Sequence, residues 1–411
     1  MYWIIFLLMI HLSAMDVVSC QDNSDDLLVI LTLSPRHGED STRELGVYFY
    51  CPQCTDNETL IVYDQAQQRF EWTITEKSGF MKTGLQASPE TFPDFTGAIL
   101  QNGTQIYSTT TVDRVNWMYN NKSVLKHLSL PQLVIPGTHQ SGAYEHPGTL
   151  GIWNLCQDLS IEQQLELGIR YLDIQPSCER SKGRCASFYV EYSLLKMMSM
   201  SEVFSELKAF LNKTNEIVIL SFSDFSTEFQ SDEDHGRFMD YIKHKLGDYL
   251  YPLNTTPHGW STSLKKIWSA KKSVIVSYNY GGPVDPAFGT GVEQSWCYCK
   301  RPDDLHVFFA DPWKRREWDT RTSPSVDVVQ LTPGWEIIVT QDSSETDYTF
   351  DFKVWTDEFS PKVFKWYHEE WNVSSNVVVV DFFEATGIVD LAVHWNLKRG
   401  KKYQSLMNKN E

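Results

Sequence analysis

Positive charge is scarce in this chain. Lysine and arginine number 36 against 53 aspartates and glutamates, a formal net charge of -17 over 411 residues. Such a surface repels phosphate backbones and anionic headgroups, which excludes nucleic acid as a bulk partner and leaves only local basic pockets for anions. Glycine motifs that cradle phosphates are missing too: neither GxGxxG nor GxxxxGK[ST] occurs, which argues against dinucleotide and P-loop sites. Beyond the N-terminus there is no long apolar run, so no transmembrane segment is expected. The N-terminal MYWIIFLLMIHLSAMDVVSC has an apolar stretch, Tyr2 to Ile10, too short to span a bilayer and ending in small residues. It reads as a signal peptide cleaved after Cys20 or after Ala14, although no Lys or Arg precedes its apolar core.

Cysteine is sparse: Cys20, Cys51, Cys54, Cys156, Cys178, Cys185, Cys297 and Cys299. Loss of Cys20 leaves seven, an odd number that leaves at least one thiol free or intermolecular. Cys51-x-x-Cys54 has no second ligand pair at zinc spacing and lies between strand-like flanks, so a structural disulfide or plain thiols are expected there. Cys178 and Cys185 close the loop CERSKGRC around a turn-like Lys-Gly and form the expected disulfide. Asn57, Asn102, Asn121, Asn212, Asn254 and Asn372 each head an Asn-x-Ser/Thr triplet without proline. Six such triplets, with the leader, predict a secreted, extracellular, glycosylated chain.

What is present is aromatic and apolar: 42% hydrophobic residues, with 14 Trp and 22 Phe, enough for large cores and against global disorder. Residues 21–113 read as a small all-β sandwich, from DDLLVILTLS, GVYFYC, TLIVYD, RFEWTIT and GTQIYSTTTV. His37 there stands in a polar loop and reads as a solvated histidine. From 114 to 400 strands and helices alternate. LPQLVIPG, IRYLDIQ, EIVILSFSDF, KSVIVSYN, HVFFADP, WEIIVTQ and NVVVVDFFE read as strands. SIEQQLELG is a helix with Ser160 as N-cap, Gln163 closing a capping box and Gly168 as stop. MSEVFSELKAFLNK, HGRFMDYIKHKLGDYL, PKVFKWYHEEWN and GIVDLAVHWNLKRG read as further helices, before a polar tail at 401–411. Strands apolar on both faces imply a parallel sheet, hence α/β class and a TIM-like (β/α)8 barrel, regular or irregular; an open doubly wound sheet is the alternative.

In such a barrel chemistry sits where strands end. Those positions are His139, Gln175, Glu191 to Ser193, Ser223 with Asp224, Asn279 and Asp381. His139 stands in IPGTHQSG, where Gly137 and Gly142 allow tight turning and close approach. A histidine can take a proton from a hydroxyl, and Asp381 can orient it through its other ring nitrogen.

The three blocks LSLPQLVIPGTHQSGAY, SIEQQLELGIRYLDIQPS and VFSELKAFLNKTNEIVILSFSDF, with the preceding NWM and the late VVVVDFF, resemble the X domain of phosphatidylinositol-specific phospholipase C over roughly 114–400. The likeness is to its single-barrel, X domain-containing relatives. The N-terminal β unit lies outside it, and resembles what precedes the barrel in some secreted arthropod members. The resemblance implies a base, matched by His139, that deprotonates the inositol 2-hydroxyl for attack on the neighbouring phosphorus, with Asp381 as its partner and Asp173 at the acidic position of the RYLD strand. It also implies a second histidine as acid and an arginine or calcium ion as phosphate cation. Here the chain departs. Gln140 replaces the usual Asp or Asn, Gln175 stands where Arg or a metal-binding Asp is usual, Glu191 or Ser193 takes the second histidine's place, and Ser223 stands at a calcium-ligand position. Rescue would need Glu191 as a buried acid, Arg180 or Arg184 over the phosphate, or a metal held by Asp173 with Asp224 or Glu191. Calcium stays open as a cofactor, although its usual ligand positions are not kept. Three readings stand: a phosphodiesterase with a depleted catalytic set acting on an inositol phospholipid or a glycosylphosphatidylinositol-like headgroup, an inactive barrel that binds a lipid headgroup, inositol phosphate, glycan or protein without cleaving it, and an interaction glycoprotein that recognises through residues 21–113.

Overall fold

The computed structural model of the chain describes residues 27–37, 42–66, 69–109, 113–144, 155–192, 195–311, 314–332 and 352–409. The expected signal peptide, Ser193 and the strand expected in WEIIVTQ lie outside the described residues.

The N-terminal unit is all-β. Its strands are β1 (Leu28–His37), β2 (Arg43–Tyr50), β3 (Glu58–Tyr63), β4 (Arg69–Thr73), β5 (Ser78–Ala87), β6 (Thr96–Gln101) and β7 (Thr104–Ser108). They form two antiparallel sheets, ordered β1-β2-β5 and β4-β3-β6-β7. One face of β1 and β2, with Val29, Leu31, Val47 and Phe49, packs on Leu60, Val62 and Ile99 of the second sheet. Side chains alternate along a strand, so Leu28, Ile30 and Tyr48 face the other way and join the core of the α/β unit. That double burial explains why β1 reads as an unbroken apolar run.

A buried ion cluster ties the two units. The Arg43 guanidinium, 1% exposed, donates to Asp158 at 3.0 Å and to Glu384 at 2.9 Å. Arg43→Ala is expected to cost about 3–5 kcal/mol, because it strands the buried Glu384 carboxylate. Arg43→Met with Glu384→Leu should regain much of that loss in urea denaturation. A double variant as unstable as the single one would refute the account.

The α/β unit is built on an eight-stranded parallel sheet. β8 (Ile135–Thr138) is followed by β9 (Tyr171–Ile174), then by a small antiparallel sheet of β10 (Pro176–Ser181), β11 (Arg184–Tyr192) and β12 (Leu195–Ser199). β13 (Val218–Phe222), β14 (Val274–Tyr278), β15 (Gly289–Thr290), β16 (Gln294–Trp296), β17 (Val326–Val329) and β18 (Val377–Val380) complete it. The order β15-β14-β13-β9-β8-β18-β17-β16 curls the sheet into an incomplete barrel, with β15 and β16 as its two edges. Ile135, Tyr171, Ile219, Ile275, Val328 and Val379 gather in one core, and Leu172, Leu220, Val276 and Val380 meet the helices in the other. Both faces are covered, as expected for a parallel sheet.

The helix Ile161–Glu166 starts at the expected Ser160–Gln163 capping box, and Met200–Leu211 has a second such box on Ser199 and Glu202. One expected strand is corrected: HVFFADP lies largely in the helix Pro302–Phe309. Pro302 and the acidic Asp303 and Asp304 occupy its first turn, and Leu305 and Phe309, four apart, are its buried face. These start signals outweigh the aromatic run. Near the C-terminus, Phe352–Lys365 passes through Pro361 into a π-turn at Trp366–Glu370. The closing helix Ile388–Asn408 extends through most of the segment read as a polar tail.

Candidate functional site at the barrel mouth

Inward-facing residues of the parallel strands converge at their C-terminal ends. His139, Gln175, Ser223, Asn279 and Asp381 each stand one residue past a strand, with Asp173 and Trp296 inside β9 and β16. Three of the exits are strained: Gln140, Asp224 and Phe382, directly after His139, Ser223 and Asp381, have φ of 44°, 48° and 42°. Left-handed backbone at residues with a Cβ costs about 1–3 kcal/mol each and clusters at functional sites. The expectation that glycines make the turn beside His139 is corrected. Gly137 and Gly142 are absent from the positive-φ residues; a Cβ on Gly137 would lie 2.9 Å from Val379, and one on Gly142 3.0 Å from Val190. These glycines serve close packing, and Gln140 makes the turn.

His139 and Asp381 meet across the pairing of β8 and β18. Nδ1 lies 2.8 Å from an Asp381 carboxylate oxygen, and the residues are 1% and 7% exposed. Nε2 makes no hydrogen bond to any described residue. Gln157 fixes the backbone behind the dyad, its Nε2 donating to the carbonyls of His139 and Val380, both at 3.0 Å. The Trp296 ring meets the imidazole edge-on at 5.0 Å and stacks on Tyr298 at 5.2 Å; Tyr298 is 68% exposed, so the aromatic pair runs from the dyad to solvent. Burial pushes the imidazolium down, but the Asp381 carboxylate, with Cys156 beside it, more than reverses this and raises His139 well above its usual value. Burial pushes the Cys156 thiol up to about 11, with Asp381 adding to the effect.

A second group centres on Asp173. Its carboxylate accepts from Gln294 Nε2 at 2.9 Å, from the Gln140 N–H at 3.3 Å and from the Ser223 hydroxyl at 3.4 Å. Gln140 Nε2 also donates to Gln175 at 3.0 Å, so two of the residues at which the chain departs from the resemblance bond each other. Asp224 reaches solvent; partial desolvation and then the charge of Asp173 raise its carboxyl, with His139 opposing. Sequence reasoning missed Gln294, Trp296 and Cys156 as site residues, and within the strand end Glu191 to Ser193 it singled out Glu191 and Ser193 rather than Tyr192. β15 and β16 are two and three residues long and carry no strand signature, and Cys156 belongs to no strand.

Three expected site residues are not brought to the dyad. Glu191 is half-buried and pairs in register with Lys196 of β12. Its neighbour Tyr192 is the residue that meets the His139 ring, edge-on at 6.2 Å, and alternation turns Glu191 to the opposite face. Arg180 donates to Asp234 at 2.7 Å and to the Glu228 carbonyl, so its charge is already used. Arg184 is exposed at the far end of β11, eight residues and about 26 Å along the strand from Tyr192. Among the described residues, no hydrogen bond or ion pair joins a lysine or arginine to His139, Asp381 or Asp173.

Arg180 instead anchors the loop closed by the Cys178–Cys185 disulfide, which forms as expected. Burial raises the Asp234 carboxyl, but Arg180, the Cys185 and Gln230 N–H groups and Ser231 outweigh it and hold it at about 2. A depressed carboxyl stabilises the fold above its unfolded value, near 4, and that stability is lost as pH falls toward 2. Asp234→Asn should therefore cost about 2 kcal/mol at pH 7 and close to nothing at pH 2. A cost that does not change with pH in acid-titrated denaturation would contradict this.

Cys51–Cys54 and Cys297–Cys299 are also bonded, and Cys156 is the free cysteine among the described residues. Among the described residues, a calcium site does not fit. Calcium takes six to eight oxygens, whereas the group of three ligand-type side chains found among the described residues is His139, Cys156 and Asp381, with one carboxylate. Asp173 is bonded to amides and a hydroxyl, and Asp224 feels its charge.

Comparison with known proteins places this geometry. Residues 133–280 match the family model "Phosphatidylinositol-specific phospholipase C, X domain". The zebrafish (Danio rerio) PI-PLC X domain-containing protein 1 is 24% identical over 210 residues, 45% of this chain and 63% of that protein. The zebrafish PI-PLC X domain-containing protein 3 is 22% identical over 312 residues, 68% of this chain and 92% of that protein. A Trypanosoma cruzi variant-surface-glycoprotein phospholipase C is 24% identical over 196 residues, 40% of this chain and 49% of that protein. The chain spans only 63%, 37% and 56% of three of the curated relatives it matches. Among solved structures, a Staphylococcus aureus phosphatidylinositol-specific phospholipase C superposes with TM-score 0.52 at 15% identity, covering 68% of this chain and 98% of that one. The Listeria monocytogenes enzyme gives 0.51 at 18%, covering 69% and 99%. Residues 133–280, within the barrel, thus match the phosphatidylinositol-specific phospholipase C X domain.

Proposed function

We propose that the barrel mouth binds the headgroup of an inositol phospholipid or of a glycosylphosphatidylinositol anchor and cleaves its phosphodiester slowly. The observation that carries this reading is the 2.8 Å contact between His139 Nδ1 and Asp381, with Nε2 left without a partner. With the proton on Nδ1 held by Asp381, Nε2 accepts the proton of the inositol 2-hydroxyl. The freed oxygen attacks phosphorus, the diacylglycerol oxygen leaves, and a cyclic inositol phosphate forms. The leaving oxygen takes a proton from water or from Tyr192, the hydroxyl-bearing residue of β11 nearest the dyad. Loss of a positioned acid costs about 10²–10⁴-fold, and loss of the phosphate cation a comparable factor. Binding outlives that loss, because Gln140, Gln175, Gln294 and Ser223 offer neutral donors and acceptors for a polyol.

We infer secretion as well. Three disulfides and exposed acceptor positions at Asn57, Asn102, Asn212 and Asn254 support it. No described helix is long and apolar enough to cross a membrane. Asn121 and Asn372 are half-buried and donate their amides to the Trp117 and His368 carbonyls, so a glycan there would break those bonds. A secreted protein meets anchored glycoproteins rather than cytoplasmic phosphatidylinositol, and the relative named for a variant surface glycoprotein favours that substrate. The absence of a cation beside the dyad among the described residues favours the second reading, a binder without turnover.

The deciding experiment measures release of a glycosylphosphatidylinositol-anchored reporter and hydrolysis of phosphatidylinositol by secreted protein, with and without calcium. Slow, calcium-independent release that vanishes in His139→Ala is the expected result. Saturable headgroup binding with no turnover on either substrate leaves the second reading, and neither binding nor turnover overturns both.

A further inference from the structure

Cys156 is not accounted for by the phosphodiesterase reading. A thiol that only filled space would face apolar groups, yet its Sγ, a His139 ring nitrogen and an Asp381 carboxylate oxygen all lie within 4.8 Å of one another. The three residues are 3%, 1% and 7% exposed. The backbone holds the cysteine there, since its N–H donates to the Ala143 carbonyl at 2.9 Å and its carbonyl accepts from the Phe382 N–H at 2.9 Å, beside Asp381. The ring nitrogen on the Asp381 side is Nδ1, 2.8 Å from that carboxylate, so Nδ1 is the nitrogen that can share an ion with it.

We propose that Cys156, His139 and Asp381 form a binding site for a borderline-soft divalent ion of the zinc class. The donor set of one sulfur, one nitrogen and one oxygen suits zinc or cobalt and not calcium or magnesium, which take oxygens. Electrostatics agree. A divalent ion is buried at low cost only when its charge is matched, and a thiolate with a carboxylate supplies two negative charges. In a tetrahedral site the donors stand about 3.3–3.8 Å apart, given metal–nitrogen and metal–sulfur bonds of about 2.0 and 2.3 Å. His139 Nδ1 and Asp381, 2.8 Å apart, would part by about half an ångström to admit the ion, while the Cys156 sulfur, within 4.8 Å of both, would move in. On binding, the Cys156 thiol proton passes to solvent and the sulfur pair forms the bond to the ion. Three protein ligands leave a fourth position for water. An ion held this way occupies the imidazole lone pair and the Asp381 carboxylate, so the loaded form cannot act as a base, and the metal switches the dyad off.

The test reads metal binding alone, so it stands or falls separately from any turnover. The purified chain is stripped with chelator and titrated with Co²⁺. One ion per chain is expected, with the near-ultraviolet absorption of a thiolate–cobalt bond, displaced by Zn²⁺ and untouched by excess Ca²⁺. Cys156→Ala should abolish the band, and Asp381→Asn should weaken binding at least about tenfold. Should Cys156→Ala not fold, the wild-type titration still decides. No saturable band in the wild type, a band that survives in folded Cys156→Ala, or displacement by Ca²⁺ overturns the proposal.

Discussion

Glu216→Ala is expected to lower the unfolding free energy by about 3–5 kcal/mol, among the largest effects of any single change outside the mouth. Glu216 and Arg170 are 0% and 1% exposed and lie just before β13 and β9. Arg170 Nε donates to Glu216 at 2.7 Å, and its other nitrogens donate to the carbonyls of Leu165, Ile169, Arg114 and Val115. Glu216 in turn accepts from the Met118 and Tyr119 N–H groups. One carboxylate thus fixes the segment entering the barrel and compensates a guanidinium that burial already pushes below its usual value. Removing it leaves a buried, unpaired cation and two orphaned backbone donors. Recovery here is limited, unlike at Arg43: Arg170→Met with Glu216→Leu still abandons four carbonyls and should remain clearly less stable than the wild type. Guanidinium denaturation with the m-value checked measures both variants. A loss below about 1 kcal/mol for Glu216→Ala would mean that water satisfies these groups.

At the mouth, the largest expected effect is loss of reporter release in His139→Ala, by at least about 10²-fold. Asp381→Asn should fall in the same range, because an amide can hold the wrong tautomer of His139 in place. Tyr192→Phe tests the acid. It should slow release of a substrate with a poor leaving group and leave one with an activated leaving group nearly unchanged, since the second needs no proton. Glu191→Gln should change neither, because strand alternation turns that side chain away from the dyad. If Glu191→Gln matched His139→Ala while the fold stayed intact, the assignment across β11 would be wrong.

The parts of the site legible in sequence were those at the ends of strongly apolar strands. His139, Asp173, Ser223 and Asp381 each follow or sit in a strongly apolar run that they break with a polar side chain. The parts that were not legible depend on register. Glu191, the expected acid, and Tyr192 are neighbours in the chain, and only the pairing of β11 with β10 and β12 decides which one faces His139. Arg180 looked available as a phosphate cation because Asp234, its partner, lies 54 positions away. Gln294 and Trp296 sit on a strand too short to show a period.

By itself the sequence determined the alternation of strands and helices, the capping box at Ser160, the disulfide between Cys178 and Cys185, and the position of the histidine that anchors the dyad. These are local matters: side-chain period, first-turn hydrogen bonding and short-loop closure all act within about ten residues. The tertiary structure alone decided that HVFFADP coils into a helix, that Cys156 lies against the dyad, that both arginines near the loop are spent or out of reach, and that Gln140 rather than a glycine takes the left-handed turn. Each of those outcomes is set by what the rest of the barrel brings into contact, at separations no local pattern records.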